Sequence, residues 1–123
     1  MIVLDSTILI DILRGNIELD SVLKPTEKYC TTLLNLQEVC FGLHQRERKA
    51  YELLKETLII LDYTIDAVEI SSNIYFQLEK KGKTIGKFDC IIAGIALTHN
   101  CNKILTKNAK HFSHIPGIKC ITY

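Results

Sequence analysis

Long apolar runs are missing from this chain. The longest, Cys90 to Leu97, falls far short of the roughly 20 residues that a membrane span needs. The apolar start MIVLD is cut at Asp5 and no basic segment precedes it, so no signal peptide is expected. Proline is scarce: Pro25 and Pro116 are the only two, and no linker, repeat or low-complexity tract divides the chain. Residues 1–123 therefore read as a single domain. Cysteine occurs without a metal or redox pattern. Cys30, Cys40, Cys90, Cys101 and Cys120 are odd in number, widely spaced and free of any C-x-x-C. That points to reduced thiols in a cytoplasmic protein, buried where the context is apolar, at Cys30, Cys40, Cys90 and Cys120. A charge excess of either sign is lacking too: 15 Lys and Arg face 14 Asp and Glu. No global basic field marks a nucleic-acid binder, although a local patch suffices for one. The absence of Trp and the single Met carry no functional signal.

The composition that remains, 47% apolar and 24% charged, excludes a disordered or fibrous chain. A chain of this length buries roughly two-thirds of its unfolded surface, so it needs no disulfide or zinc staple. Ile2-Val3-Leu4 reads as a buried strand. Thr7 to Leu13 reads as a helix stopped by Arg14-Gly15-Asn16. A strand over 29–32 and a helix over 35–43 follow, the helix with Leu36, Val39, Cys40 and Leu43 on one face. The charged segment 46–57 is helical, with Tyr51, Leu54 and Leu58 as a packing face, either in the core or against a dimer mate or partner. A strand over 58–61 and a helix over 66–80 come next, ended by Lys81-Gly82-Lys83. The helix 88–99 is apolar nearly all round and belongs in the core. Strands over 103–106 and 118–123 complete the chain. Alternating strands and helices imply an α/β fold: a mostly parallel central sheet with helices on both faces.

In such a sheet, ligands bind outside the carboxyl ends of the strands. Asp5 follows the first strand directly, and Thr106-Lys107-Asn108 follows the fourth. Glu38 and Asp89 fall in the expected first turns of two otherwise apolar helices, whose starts face the same edge. Three carboxylates and one amide, far apart in sequence, thus converge on one crevice. Carboxylates held together repel unless a divalent cation neutralises them, and Mg²⁺ or Mn²⁺ prefers such oxygen ligands. A cation held this way suits phosphodiester hydrolysis, because it activates water and neutralises charge on the phosphate. The competing reading is structural. Asp5 and Asp89 would cap helices, Asn35-x-x-Glu38 would form a capping box, and Asn108 would serve a turn.

The sequence resembles the PIN-domain nucleases, and within them the toxin half of the VapBC toxin–antitoxin pairs. The start M-I-V-L-D-S-T-I-L-I-D-I-L-R-G is similar to the family's opening L-D-T-N-I-L-I-D-L-L-R-G. Residues 31–42, TTLLNLQEVCFG, resemble its T-S-x-I-T-x-x-E-L-x-x-G segment. Residues 82–93, GKTIGKFDCIIA, resemble its G-x-x-I-x-x-x-D-x-x-I-A-A block. Residues 105–112, LTKNAKHF, and then 115–118, IPGI, resemble its ending V-T-x-N-x-x-x-F-x-x-I-P-G-L. The four blocks come in family order over nearly the whole chain.

The resemblance implies a PIN-like fold and a Mg²⁺- or Mn²⁺-dependent endoribonuclease. Its products would carry 5′-phosphate and 3′-hydroxyl ends. Asp5, Glu38 and Asp89 would hold the metal. Asn108 would complete the catalytic set, since it stands at the family's fourth acidic position and ligates only through a neutral carbonyl. Ser6-Thr7 replaces the usual Thr-Asn, and with Thr106 offers hydroxyls that orient the acids. The resemblance also implies a cognate small antitoxin protein as partner. Arg14, Lys80, Lys81, Lys83, Lys87, Lys107 and Lys110 are candidate contacts to RNA phosphates, against the simpler reading of solvated surface charge. His111-x-x-His114 with His99 and Cys101 fits no standard zinc spacing, so His111 and His114 read as surface residues. Two other classes compete with the enzyme: a non-catalytic RNA-binding or assembly module, and a phosphoacceptor receiver domain.

Overall fold

The computed structural model describes residues 1–123. Its elements run β1 (Ile2–Leu4), α1 (Ser6–Leu13), α2 (Leu19–Val22), β2 (Tyr29–Thr32) and α3 (Leu33–Phe41). A 3₁₀ turn at Gln45–Glu47 leads into α4 (Arg48–Thr57), β3 (Ile59–Leu61) and α5 (Ile65–Lys80). α6 (Lys87–Thr98), β4 (Lys103–Leu105), α7 (Ala109–Phe112) and β5 (Lys119–Ile121) follow. The five strands form one sheet in the order β3-β2-β1-β4-β5, and every neighbouring pair is parallel. That order differs from the 2-1-3-4-5 order of flavodoxin-like receivers, which removes the receiver-domain alternative.

The central strand β1 is apolar and buried throughout because both faces of the sheet are covered there. Val3 and Ile104 point into one core, with Ile74, Ile92, Ile95 and Phe112 from α5, α6 and α7. Their strand neighbours Ile2, Leu4 and Leu105 point into the other, with Ile8, Leu9, Val39, Tyr51, Leu54 and Leu58. This is the period-2 alternation of a strand buried on both sides. Tyr51, Leu54 and Leu58 are therefore core residues, not an interface. Cys30, Cys90 and Cys101 are buried and Cys120 is half-buried, all as free thiols. Cys40 departs from expectation and is exposed, because Val39 is the residue of that pair that α3 turns into the core.

Two local features place the functional edge. The turn that follows α5 is made by Gly82, whose φ of +69° suits only glycine readily. There the Gly82 and Lys83 N–H groups donate back to the carbonyls of Glu79 and Leu78 at 3.0 and 2.9 Å. That turn carries the chain into the loop before α6. α5 and α6 then pack so closely that a Cβ on Gly94 would lie 2.8 Å from Ser71 Cβ.

Candidate active site

The strand order reverses direction between β1 and β4, the switch point where a crevice opens at the carboxyl ends of the strands. Asp5 leaves β1 and Thr106 leaves β4 at that point. The Thr106 hydroxyl donates to Asp5 Oδ2 at 2.7 Å, and the Thr7 hydroxyl reaches the same oxygen at 3.3 Å. Asn35 Nδ2 donates to Asp5 Oδ1 at 3.1 Å. Asp5 is almost entirely buried, and these donors replace the water that burial removes.

Asn35 is a junction. Besides Asp5, its amide donates to Ser6 Oγ at 2.9 Å, and Ser6 in turn donates to Glu38 Oε1 at 3.0 Å. Thr32 anchors it from below, donating to Asn35 Oδ1 at 2.8 Å and accepting from the Asn35 N–H at 3.0 Å. Thr32 is thus the N-cap of α3. The capping-box reading of Asn35 and Glu38 is overturned. Glu38 also lies deeper than expected, in the second turn of α3 and not the first, because the helix starts at Leu33.

Asp89 does occupy the first turn of α6, but the N-cap is Gly86. Its Oδ2 lies 3.0 Å from His111 Nδ1 on α7. Asp5 and Asn108 do stand at the N-cap positions of α1 and α7, yet neither makes a side-chain capping bond. Asp5, Ser6, Thr7, Glu38, Asp89, Asn108 and His111 line one open cavity of about 580 Å³. Burial pushes the Glu38 carboxyl above its ordinary pKa; Ser6 opposes this, and the charges of Asp5 and Asp89 reinforce it. Burial likewise raises Asp89, with His111 opposing and Asp5 reinforcing. The three carboxylates therefore feel one another across the cavity.

An oxygen-preferring divalent cation fits this donor set. The acids are poorly solvated and mutually repelling, and no protein group donates to Glu38 Oε2 or Asp89 Oδ1. No three acidic, His or Cys side chains close into a ready-made cage. Such an open arrangement suits Mg²⁺, which keeps several waters and takes few protein ligands.

The basic residues separate on inspection. Lys107 is paired with Asp11 at 2.6 Å. The Lys87 ammonium sits 5.5 Å from the Tyr75 ring, at the rim of the acidic cavity. Arg14 borders a small cleft with Glu38 and Glu47. A second cavity shares Gly86, Asp89 and His111 with the acidic one; Lys83 and Lys110 line it, whereas Lys80 and Lys81, at the end of α5, line neither. Sequence reasoning missed two residues. His111 is exposed as expected but is bonded to Asp89. Asn35 was absorbed into a cap, although the matching family segment has Thr at its position, and that departure was the available signal.

This fold and this acidic crevice define a known class: the chain belongs to the PIN-domain family, whose model matches residues 2–118. Ribonuclease VapC1 of Rickettsia felis is 29% identical and covers 98% of this chain and 95% of its own length. The tRNA(fMet)-specific endonuclease VapC of Salmonella typhimurium is also 29% identical, over 76% of this chain and 74% of that protein. The structure of VapBC-1 from nontypeable Haemophilus influenzae matches with a TM-score of 0.78 at 26% identity, covering 99% of this chain and 98% of that one.

Proposed function

We propose that residues 1–123 act as one nuclease domain, a Mg²⁺- or Mn²⁺-dependent endoribonuclease serving as the cytoplasmic toxin of a toxin–antitoxin pair. One observation carries the reading: three carboxylates from distant segments line a single open cavity at the β1/β4 switch point. A purely structural role leaves that convergence without a reason, since none of the three makes a side-chain cap. Likeness to ribonuclease VapC1 supports RNA as substrate, and likeness to VapBC-1 supports a small antitoxin as partner.

Asp5, Glu38 and Asp89 would hold the metal. When bound, the cation supplies activated water and neutralises charge on the phosphate. The residues of this chain supply position. Asn35, Thr106 and Thr7 orient Asp5; Ser6 orients Glu38. Asn108 lends a neutral amide to the cavity wall. His111 shares Asp89 Oδ2 and limits how that carboxylate turns. No side-chain nucleophile is required.

The role of toxin is tested in cells. Expression of this chain alone is expected to arrest growth, and co-expression of its genetic neighbour to restore it. Asp89→Asn is expected to be harmless without the neighbour. Harmless high-level expression of the soluble wild type would refute the toxin role.

A further inference from the structure

A second cavity, about 510 Å³ in volume, lies against the acidic one. Gly86, Asp89 and His111 border both, so the His111–Asp89 contact at 3.0 Å belongs to the wall between them. On the far side the lining changes sign. Lys83, Lys110 and His114 stand there with the hydroxyl-bearing Thr84, and Asp89 is the only carboxylate. The Gly82 turn sets Lys83 at the start of this wall; the short helix α7 brings Lys110, and the turn after it His114, to the other.

The lysines here differ from the other cations near the crevice. Lys107 is neutralised by Asp11, and Lys87 rests on the Tyr75 ring. Lys83 and Lys110 have no carboxylate partner and no aromatic ring beneath them. Two uncommitted ammonium groups facing one cavity attract an anion with several acceptor oxygens. An RNA strand threaded through the acidic cavity presents such a group one step along its backbone.

We infer that this basic cavity holds the RNA phosphate adjacent to the one that is cut, with Lys83 and Lys110 as its cations and Thr84 as a hydroxyl donor. The inference rests on the ribonuclease reading and deepens it. It divides the lysine cluster before Asp89: Lys83 contacts RNA, whereas Lys80 and Lys81 do not.

The test is fluorescence anisotropy with a labelled single-stranded RNA hexanucleotide, over a salt series, with Ca²⁺ replacing Mg²⁺. Lys83→Ala combined with Lys110→Ala is expected to weaken binding about tenfold and to flatten the log–log salt slope by about 0.7, the share of one phosphate contact to a single strand. Lys83→Arg combined with Lys110→Arg is expected to keep the wild-type slope. Lys80→Ala with Lys81→Ala removes the same charge and is expected to keep the wild-type slope. All the replaced lysines are exposed, and matching melting temperatures check that the fold is intact. Unchanged affinity and slope in the Lys83/Lys110 variant would overturn the inference. Equal losses in both double variants would do so as well, since they would mean a diffuse field. Cutting of RNA in Mg²⁺ is measured separately. Wild type that cuts RNA while the Lys83/Lys110 variant binds normally defeats this inference alone; wild type that neither binds nor cuts RNA defeats the ribonuclease reading with it.

Discussion

Asn35 and Asp5, thirty positions apart in the chain, are joined by a buried hydrogen bond from Asn35 Nδ2 to Asp5 Oδ1 at 3.1 Å. The second Asn35 amide hydrogen goes to Ser6, which holds Glu38. One amide therefore sets the relative position of two carboxylates. Asn35→Ala strips a donor from Asp5 and from Ser6 and an acceptor from Thr32, all in a dry site. Unfolding free energy is expected to fall by about 1–3 kcal/mol in urea titrations. Mn²⁺ affinity, read by isothermal titration calorimetry, is expected to fall with it. A variant as stable and as tight-binding as wild type would show that Asn35 positions nothing.

The acidic cavity also determines a pH dependence. Glu38 and Asp89 both have pKa values raised above their ordinary 4.5 and 3.8. Just above those values the metal-free folded state keeps protons that the unfolded chain has released. Stability from these groups therefore falls as pH rises through that window and stays lost at neutral pH. Glu38→Gln removes the Glu38 share. The variant is expected to match wild type near pH 4 and to exceed it increasingly towards neutrality, by thermal melts in chelator. Asp11 and Glu52, whose pKa values are lowered, act in the opposite sense but cancel in this difference. A gap that shrinks as pH rises would contradict the electrostatic account.

Gly94→Ala tests the close approach of α5 and α6. Alanine ordinarily improves a helix interior by about 1 kcal/mol over glycine. Here the added Cβ meets Ser71 Cβ at 2.8 Å and the backbone atoms Ala67 O and Ser71 N at 3.0 Å. Backbone cannot step aside, so the helices must separate. A net loss of about 1–3 kcal/mol is expected, as a lower urea midpoint with unchanged slope. A gain in stability would mean that the helices are not packed this tightly.

Most of the fold was legible because its elements are strongly patterned. The run 2–4 is wholly apolar and ends at Asp5, the β-branched and aromatic residues of 29–32 and the Ile-Leu of 104–105 favour strands, and α5 ends at the Lys-Gly-Lys that marks it. Two four-residue helices, α2 and α7, escaped because a single turn has no periodicity to read. The strand order was not legible, since pairing is decided between distant segments. The same division holds at the site. Asp5 sits at a strand end, so its placement followed from the topology of parallel sheets. His111 meets Asp89, and Asn35 meets Asp5, only through tertiary packing, which spacing along the chain does not encode. The lysines show the limit most plainly. Six of the candidate RNA contacts are lysines in two sequence clusters, but folding commits Lys107 to Asp11 and leaves Lys83 and Lys110 uncommitted.

The central claim is that Asp5, Glu38 and Asp89 hold a divalent cation that cuts RNA. Its most direct test is cleavage of labelled RNA by purified wild type and Asp89→Asn, with Mg²⁺ or Mn²⁺ and with excess EDTA. Asn removes one anionic ligand while leaving the α6 N-cap at Gly86 untouched. Wild type is expected to cut with either metal and to stop in EDTA. The variant is expected to lose activity by orders of magnitude while melting at the same temperature or higher, through relief of like-charge repulsion. Undiminished cutting by wild type in EDTA, or wild-type turnover by Asp89→Asn, would contradict the claim.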